Sequence, residues 1–236
     1  MLILGLTKTT LLDYPGHVAA ALFTGGCNFC CPYCHNGDIA VNHASLTPLE
    51  DAALFEFLER RRKVLTGVCI TGGEPTLHPD LPALAARIRA LGYLVKLDTN
   101  GTRPDMLQHL IREGLIDYCA MDIKNAPEKY AATAGFSRDS AASYMDAVTA
   151  SVQLLMRQQR IPYEFRTTVV AELHNEADMR AIAKWIAGAD AYFLQSYTDS
   201  SGVLQPGLHA HSAATLQSFA AICRPYIPNT ALRGID

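Results

Sequence analysis

Six short apolar runs, each followed by a longer stretch of helical period, constrain this chain more than any other feature. The runs cover residues 18–23, 68–71, 94–98, 118–122, 164–170 and 191–195. Strands that alternate with helices rejoin their sheet as parallel βα units. Six of them predict an α/β fold, a partial (β/α)6 TIM-like barrel of parallel strands. In such a barrel the functional groups gather on the loops after the carboxyl ends of the strands. Thr47-Pro48-Leu49-Glu50 reads as a capping box opening the first long helix, which sends Leu54, Phe57 and Leu58 to the core and stops near Gly67. Later helices are expected at about 82–91, 104–113, 140–158, 177–187 and 213–224, with Gly92, Gly114 and Gly188 as stops. No internal repeat or linker interrupts the pattern, so residues 1–236 read as a single domain. With 49% of the chain hydrophobic, there is material for a sizeable core.

A formal net charge of -3 offers no electrostatic case for a nucleic-acid partner. No stretch reaches membrane-spanning length, and Met1-Leu2-Ile3-Leu4-Gly5-Leu6 is too short and lacks a basic leader, so a cytoplasmic protein without a membrane partner is expected. The basic run Arg60-Arg61-Arg62-Lys63 reads as a solvated last helical turn, with a docking patch for an acidic partner as the alternative. Seven cysteines, mostly clustered in one loop, read as reduced thiols for a metal site and not as a disulfide framework.

That loop carries Cys27-x3-Cys31-x2-Cys34 directly behind the first apolar run. Three thiols so spaced can hold three irons of a four-iron cluster and leave the fourth without a protein ligand. Ordinary iron–sulfur proteins supply four thiolates, and an open coordination position separates a catalytic metal site from a structural one. Cys30 adds overlapping Cys27-x2-Cys30 and Cys31-x2-Cys34 pairs, for which a zinc site or a redox disulfide is the competing reading. Adjacent Cys30 and Cys31 must point in different directions, which argues against zinc. A ferredoxin run fails because its third ligand would fall at Tyr33. Cys30 is then a spare thiol with an open role.

Other motifs fall at later strand ends. In Thr71-Gly72-Gly73-Glu74-Pro75 two glycines leave the backbone bare for a small ligand, Glu74 adds an acceptor and Pro75 stiffens the exit, although alone the string is a tight turn more often than a site. Asp98-Thr99-Asn100-Gly101 ends in a common turn dipeptide. Asp122-x-Lys124 puts two charges on one face, where they need a charged ligand or each other. Arg166 is a lone charge in a run otherwise suited to burial. His209-x-His211 has metal-like spacing without a third ligand nearby and reads as a surface pair. Cys69, Cys119 and Cys223 read as small buried apolar residues.

The thiol spacing, the aromatic Tyr33 before the last Cys and the His35-Asn36 that follows resemble the radical S-adenosylmethionine (SAM) enzymes, and among them the activating enzymes of glycyl-radical proteins. The resemblance implies a [4Fe-4S] cluster on Cys27, Cys31 and Cys34, with SAM at the open iron. By the same resemblance, Gly72, Gly73 and Glu74 grip the methionine ammonium, and Asp98, Thr99 and Asn100 lie beside the ribose and methionine groups. Lys124 would meet the SAM carboxylate and Asp122 the ammonium, an internal salt bridge being the alternative. Arg166 would reach the ribose or carboxylate. Tyr33 would pack on the adenine with His35 reaching the same place, unless His35 and Asn36 only cap the next turn. Asp98 and Asp122 are also candidate ligands of a monovalent cation.

The short bridge from Cys34 to Thr47 and the lack of further spaced cysteines favour the compact activators of anaerobic ribonucleoside-triphosphate reductase and of pyruvate formate-lyase. Residues 9–16 and the ending Leu232-Arg233-Gly234 look more like the reductase activators. The implied partners are a glycyl-radical protein, foremost anaerobic ribonucleotide reductase, and a flavodoxin- or ferredoxin-type electron donor. Two rivals stand beside this: a radical enzyme acting on a small molecule, such as a deazapurine synthase, and a non-catalytic zinc or electron-transfer module.

Overall fold

All six expected strands form, within a residue or two of their expected ends, and two further strands flank them. The computed structural model describes residues 1–200 and 202–235. Its strands are β1 (Ile3–Thr10), β2 (Ala19–Thr24), β3 (Gly67–Gly72), β4 (Leu94–Thr99), β5 (Tyr118–Asp122), β6 (Tyr163–Val169), β7 (Tyr192–Ser196) and β8 (Thr230–Arg233). They lie side by side in chain order. β1 pairs antiparallel with β2, and every later pair is parallel. Among the described residues no ladder joins β1 to β8, so the barrel is partial and open along one side. The extra strands escape a pattern search for physical reasons. Only Ile3 of β1 is buried, and β8 has four residues.

The helices are α1 (Gly37–Ala40), α2 (Asp51–Arg61), α3 (Leu81–Ala90), α4 (Pro104–Arg112), α5 (Tyr130–Ala134), α6 (Arg138–Arg157), α7 (Glu176–Trp185) and α8 (Ala213–Cys223). The expected capping box at Thr47 does not form. The Leu49 amide donates to the Ile3 carbonyl of β1 at 2.8 Å, so this stretch serves the sheet edge, and α2 begins at Asp51 with no side-chain cap. The capping box stands on α7 instead, where Asn175 and Asp178 satisfy each other's backbone amides. The basic run that closes α2 is partly engaged, since Arg60 pairs with Glu56 and Arg61 donates to Thr9.

Strand alternation splits the sheet into two environments. Val68, Ile70, Val95, Leu97 and Phe165 join one apolar cluster with Leu84, Ile88, Leu107, Leu110, Val152 and Ile182 of the surrounding helices. The alternate positions face the lumen: Cys69 on β3, Lys96 and Asp98 on β4, Asp122 at the end of β5, and Glu164 and Arg166 on β6. Cross-strand register sets Cys69 beside Lys96 and Asp122 beside Arg166. A closed barrel of this type fills its lumen with bulky apolar side chains. Here the lumen is charged, and it leads up to the site.

Candidate active site

A cavity of about 350 Å³ lies at the carboxyl ends of the strands, within the size range of small-molecule sites. The three expected thiols line it, together with Tyr33, His35, Gly72, Gly73, Glu74, Asp98, Thr99, Asn100, Asp122, Lys124 and Arg166, so every residue picked from the sequence meets in one place. Asp13, Phe23, Thr71, Thr168 and Gln195 also line it and were not singled out. Cys30 is exposed and not part of the lining. His209 sits apart, paired with Glu172, and His211 bonds the His174 carbonyl.

The thiol loop is pinned from three directions. The Gly26 amide donates to Ile39 and the Cys30 amide to Ala134, both within α1 and α5. Phe29 lies in an aromatic nest with Phe136, Tyr144 and Tyr130, at ring distances of 5.1, 5.7 and 6.4 Å. The third anchor is the adjacent strand end. A Cβ on Gly72 would run into the Thr24 backbone and one on Gly73 into the Gly26 carbonyl, while the Gly73 and Glu74 amides donate to Thr24 and Gly26 at 2.8 Å. The glycines thus let the β3 end press directly against the thiol loop. Asn36 occupies the N-cap position of α1 without capping it, and donates instead to the Gly72 carbonyl at 3.2 Å. His35 stands exposed at the rim, its ring 5.8 Å from that of Tyr197.

Glu74 is 1% exposed, and its carboxylate is saturated. It accepts from the Thr76 amide and hydroxyl, the Thr99 hydroxyl at 2.7 Å and the Asn100 amide at 2.6 Å, tying β3 to β4. Burial pushes its carboxyl up against these four bonds. From β4 the brace continues to the thiols. Asn100 donates to Asn28 at 2.9 Å and approaches the Cys27 sulfur at 3.9 Å, and Asn28 donates to Thr102. The Phe29 amide points at the same sulfur at 3.4 Å. Asn28 and Thr102 carry no spacing signal in the sequence, because they meet across more than seventy positions, whereas Thr76 stands only two residues from its partner Glu74. In the metal-free chain, burial foremost and then Glu74 push the Cys27 thiol up to about 12, burial pushes Cys31 up to about 11, and burial raises Cys34.

The opposite wall is ionic. Lys96 donates to Asp98, Arg166 donates to Asp98 at 3.2 Å and to Asp122 at 2.9 Å, and Lys124 donates to Asp122 at 2.9 Å. The internal pairing of Asp122 with Lys124, held open as an alternative above, is therefore present. Burial raises the Asp122 carboxyl, but Arg166 and Lys124 outweigh it and hold it down at about 2. Buried His174 receives the Val170 amide on Nδ1 and so donates from Nε2 to the Lys124 carbonyl at 2.9 Å, steadying that backbone. Three cations interleave with two carboxylates, while Asp13 and the Glu74 carboxyl line the same cavity and Glu164, paired with Arg233, lies in the lumen below. Beside this wall the Tyr33 hydroxyl is buried without a hydrogen-bond partner among the described residues. Among those residues, no group of three or more His, Cys, Asp or Glu is gathered as a single metal ion requires. No helix is long and apolar enough to cross a membrane.

The model of the Radical SAM superfamily matches residues 21–186. Over its whole length the chain is 31% identical to a Methanocaldococcus jannaschii protein named as a glycyl-radical enzyme activating enzyme, covering 97% of that protein. A 7-carboxy-7-deazaguanine synthase of Halobacterium salinarum is 36% identical over 34% of this chain and 30% of its own. Among solved structures, Streptococcus suis SuiB bound to S-adenosylmethionine superposes with a TM-score of 0.67 at 14% identity, over 91% of this chain and 52% of SuiB.

Proposed function

This chain belongs to the radical SAM superfamily, and we propose that within it the protein is an activating enzyme that generates a glycyl radical on a partner protein, foremost anaerobic ribonucleoside-triphosphate reductase. The superfamily works with a [4Fe-4S] cluster and S-adenosylmethionine. The residues present fit both. Three thiols face one cavity while Cys30 turns outward, the Tyr33 hydroxyl has no hydrogen-bond partner among the described residues, and the Lys124 ammonium lines the same cavity, where it can meet a ligand carboxylate. Together the cofactors supply one-electron scission of SAM to methionine and a 5′-deoxyadenosyl radical, the difficult chemistry being theirs and not the protein's.

The chain's own tasks are then binding, orientation and exclusion of water. Cys27, Cys31 and Cys34 hold the cluster, each giving up a proton to become a thiolate. Lys124, shared with Asp122 and still carrying free donors, takes the SAM carboxylate. Asp122 and the backbone around Gly72, Gly73 and Glu74 receive the ammonium, and Asp98, Thr99, Asn100 and Arg166 border the methionine and ribose. Tyr33 and His35 flank the adenine. No side chain is needed as a base, because the step on the partner is removal of a hydrogen atom from a glycine Cα. The open side between β1 and β8 leaves room for a glycine-bearing loop. A cytoplasmic setting with a flavodoxin- or ferredoxin-type donor accords with seven free cysteines.

The observation that carries this reading is that the three thiols and the Lys124 ammonium line one cavity, and the whole-length relative supports the activase assignment. Anaerobically reconstituted protein given dithionite, SAM and purified anaerobic reductase is expected to yield the electron-paramagnetic signal of a glycyl radical. Cluster reduction and SAM cleavage without that signal would reject the target. The partial match to a deazaguanine synthase favours a second reading, an enzyme of a small molecule, for which SAM cleavage would await that molecule and need no protein.

A further inference from the structure

Lys96 belongs to none of the motifs, yet it is a fully buried charge beside the cavity, 1% exposed. It lies on β4 two residues before Asp98, so both side chains face the lumen. Its ammonium donates to one oxygen of Asp98 and stands 3.6 Å from the Cys69 sulfur. The other oxygen of Asp98 takes Arg166, and the two oxygens of Asp122 take Arg166 and Lys124. All four carboxylate oxygens at these strand ends therefore carry a cationic donor from the chain itself.

This arrangement does not fit the monovalent cation for which Asp98 and Asp122 were candidate ligands. A hard cation needs oxygen lone pairs turned towards it. Here each of the four oxygens already accepts from one fixed cation and keeps a further lone pair that an N–H donor can use when its ligand brings its own carboxylate, whereas a bare ion would only add its charge to those of Lys96, Arg166 and Lys124 in a partly desolvated lumen, where like charges repel strongly.

We propose that Lys96, together with Arg166, is a built-in counter-cation that takes the place of an alkali-metal ion at this site. Lys96 is a positioning residue. It fixes Asp98, and through Arg166 it fixes Asp122, at the places from which they and Lys124 meet the amino-acid end of SAM. The inference rests on reading the cavity as the SAM site, but not on the identity of the protein partner.

The test is equilibrium binding of SAM to anaerobically reconstituted holoprotein at constant ionic strength, with potassium, sodium or tetramethylammonium as the only cation. Wild-type affinity should agree in all three buffers within about twofold. Lys96→Met, close in shape and uncharged, should bind SAM about tenfold or more weakly in tetramethylammonium, the weight of one charge-assisted hydrogen bond, and regain affinity in potassium. Lys96→Arg should behave as wild type. Crystals of the holoprotein soaked in thallium(I) should show no anomalous peak between Asp98 and Asp122. A wild type that loses affinity about tenfold without alkali ions, a thallium peak at that position, or a folded, cluster-loaded Lys96→Met that ignores the buffer cation would each overturn the proposal. Should Lys96→Met fail to fold, the wild-type ion exchange and the thallium soak decide the matter. The readout is SAM binding and not glycyl-radical formation, so a wrong target protein does not enter the result.

Discussion

The two walls of the cavity are built on opposite principles. The thiol wall is hydrogen-bonded around a single carboxyl: Glu74, Thr76, Thr99, Asn100, Asn28 and Thr102 brace one another and the loop, with the Phe29 backbone amide aimed at the Cys27 sulfur. The facing wall consists of Lys96, Asp98, Arg166, Asp122 and Lys124, joined by charge into one alternating network. The first wall holds a shape and the second offers a charge. Damage to one should thus be separable from damage to the other, and that separability exposes the account to test.

The largest effect is expected at the thiols. Alanine at Cys27, Cys31 or Cys34 should abolish stable uptake of the iron–sulfur cluster, whereas Cys30→Ala should leave iron and sulfide content unchanged, as measured by chemical analysis after anaerobic reconstitution. Next comes Lys124→Met, which should keep the cluster but weaken SAM binding about 10- to 150-fold, the range of a hydrogen bond to a charged group. Loss of iron in that variant would break the division between the walls. Glu74→Gln replaces an acceptor-only group that takes four bonds, and should cost about 1–3 kcal/mol of stability in denaturant titration. Gly135, at the C-cap of α5, has φ +70° and no room for a Cβ beside the Cys30 carbonyl. Gly135→Ala should cost about 1–2 kcal/mol from backbone handedness alone, and should speed iron loss to a chelator by shifting the loop.

The smallest effect concerns pH. Cys27 and Cys31 titrate above their ordinary value of 9.0 in the folded metal-free chain, at about 12 and about 11. A folded value above the unfolded one gives stability that is whole below pH 9 and lost as pH rises towards 11 to 12, because the unfolded thiols ionise first. Denaturant midpoints of the metal-free protein should therefore fall across that interval, and fall less in Cys27→Ser. A midpoint that rises there would contradict the burial of these thiols.

The ionic wall and the thiol wall also differ in how much of each the sequence reveals. Parallel βα order is visible in the apolar runs because strands covered by helices read as such in any context. The thiols, the glycine pair and Asp122-x-Lys124 stand at the ends of those runs, so topology alone brings them together. Bracing is another matter. Asn28 reaches Asn100 and Thr102, more than seventy positions away, and no local pattern marks that contact. Lys96 hides inside an apolar run, where only the lumen-facing register and the nearby Asp98 explain it. The false capping box at Thr47 shows the converse, a sound local signal overridden because Leu49 bonds β1.

Mössbauer spectra of anaerobically reconstituted protein, recorded with and without SAM, test the central claim most directly. Three thiolates on a four-iron cluster predict that SAM shifts the signal of one iron and leaves the other three as they were. Four irons all indifferent to SAM, or a chain that takes up zinc and no iron, would contradict it.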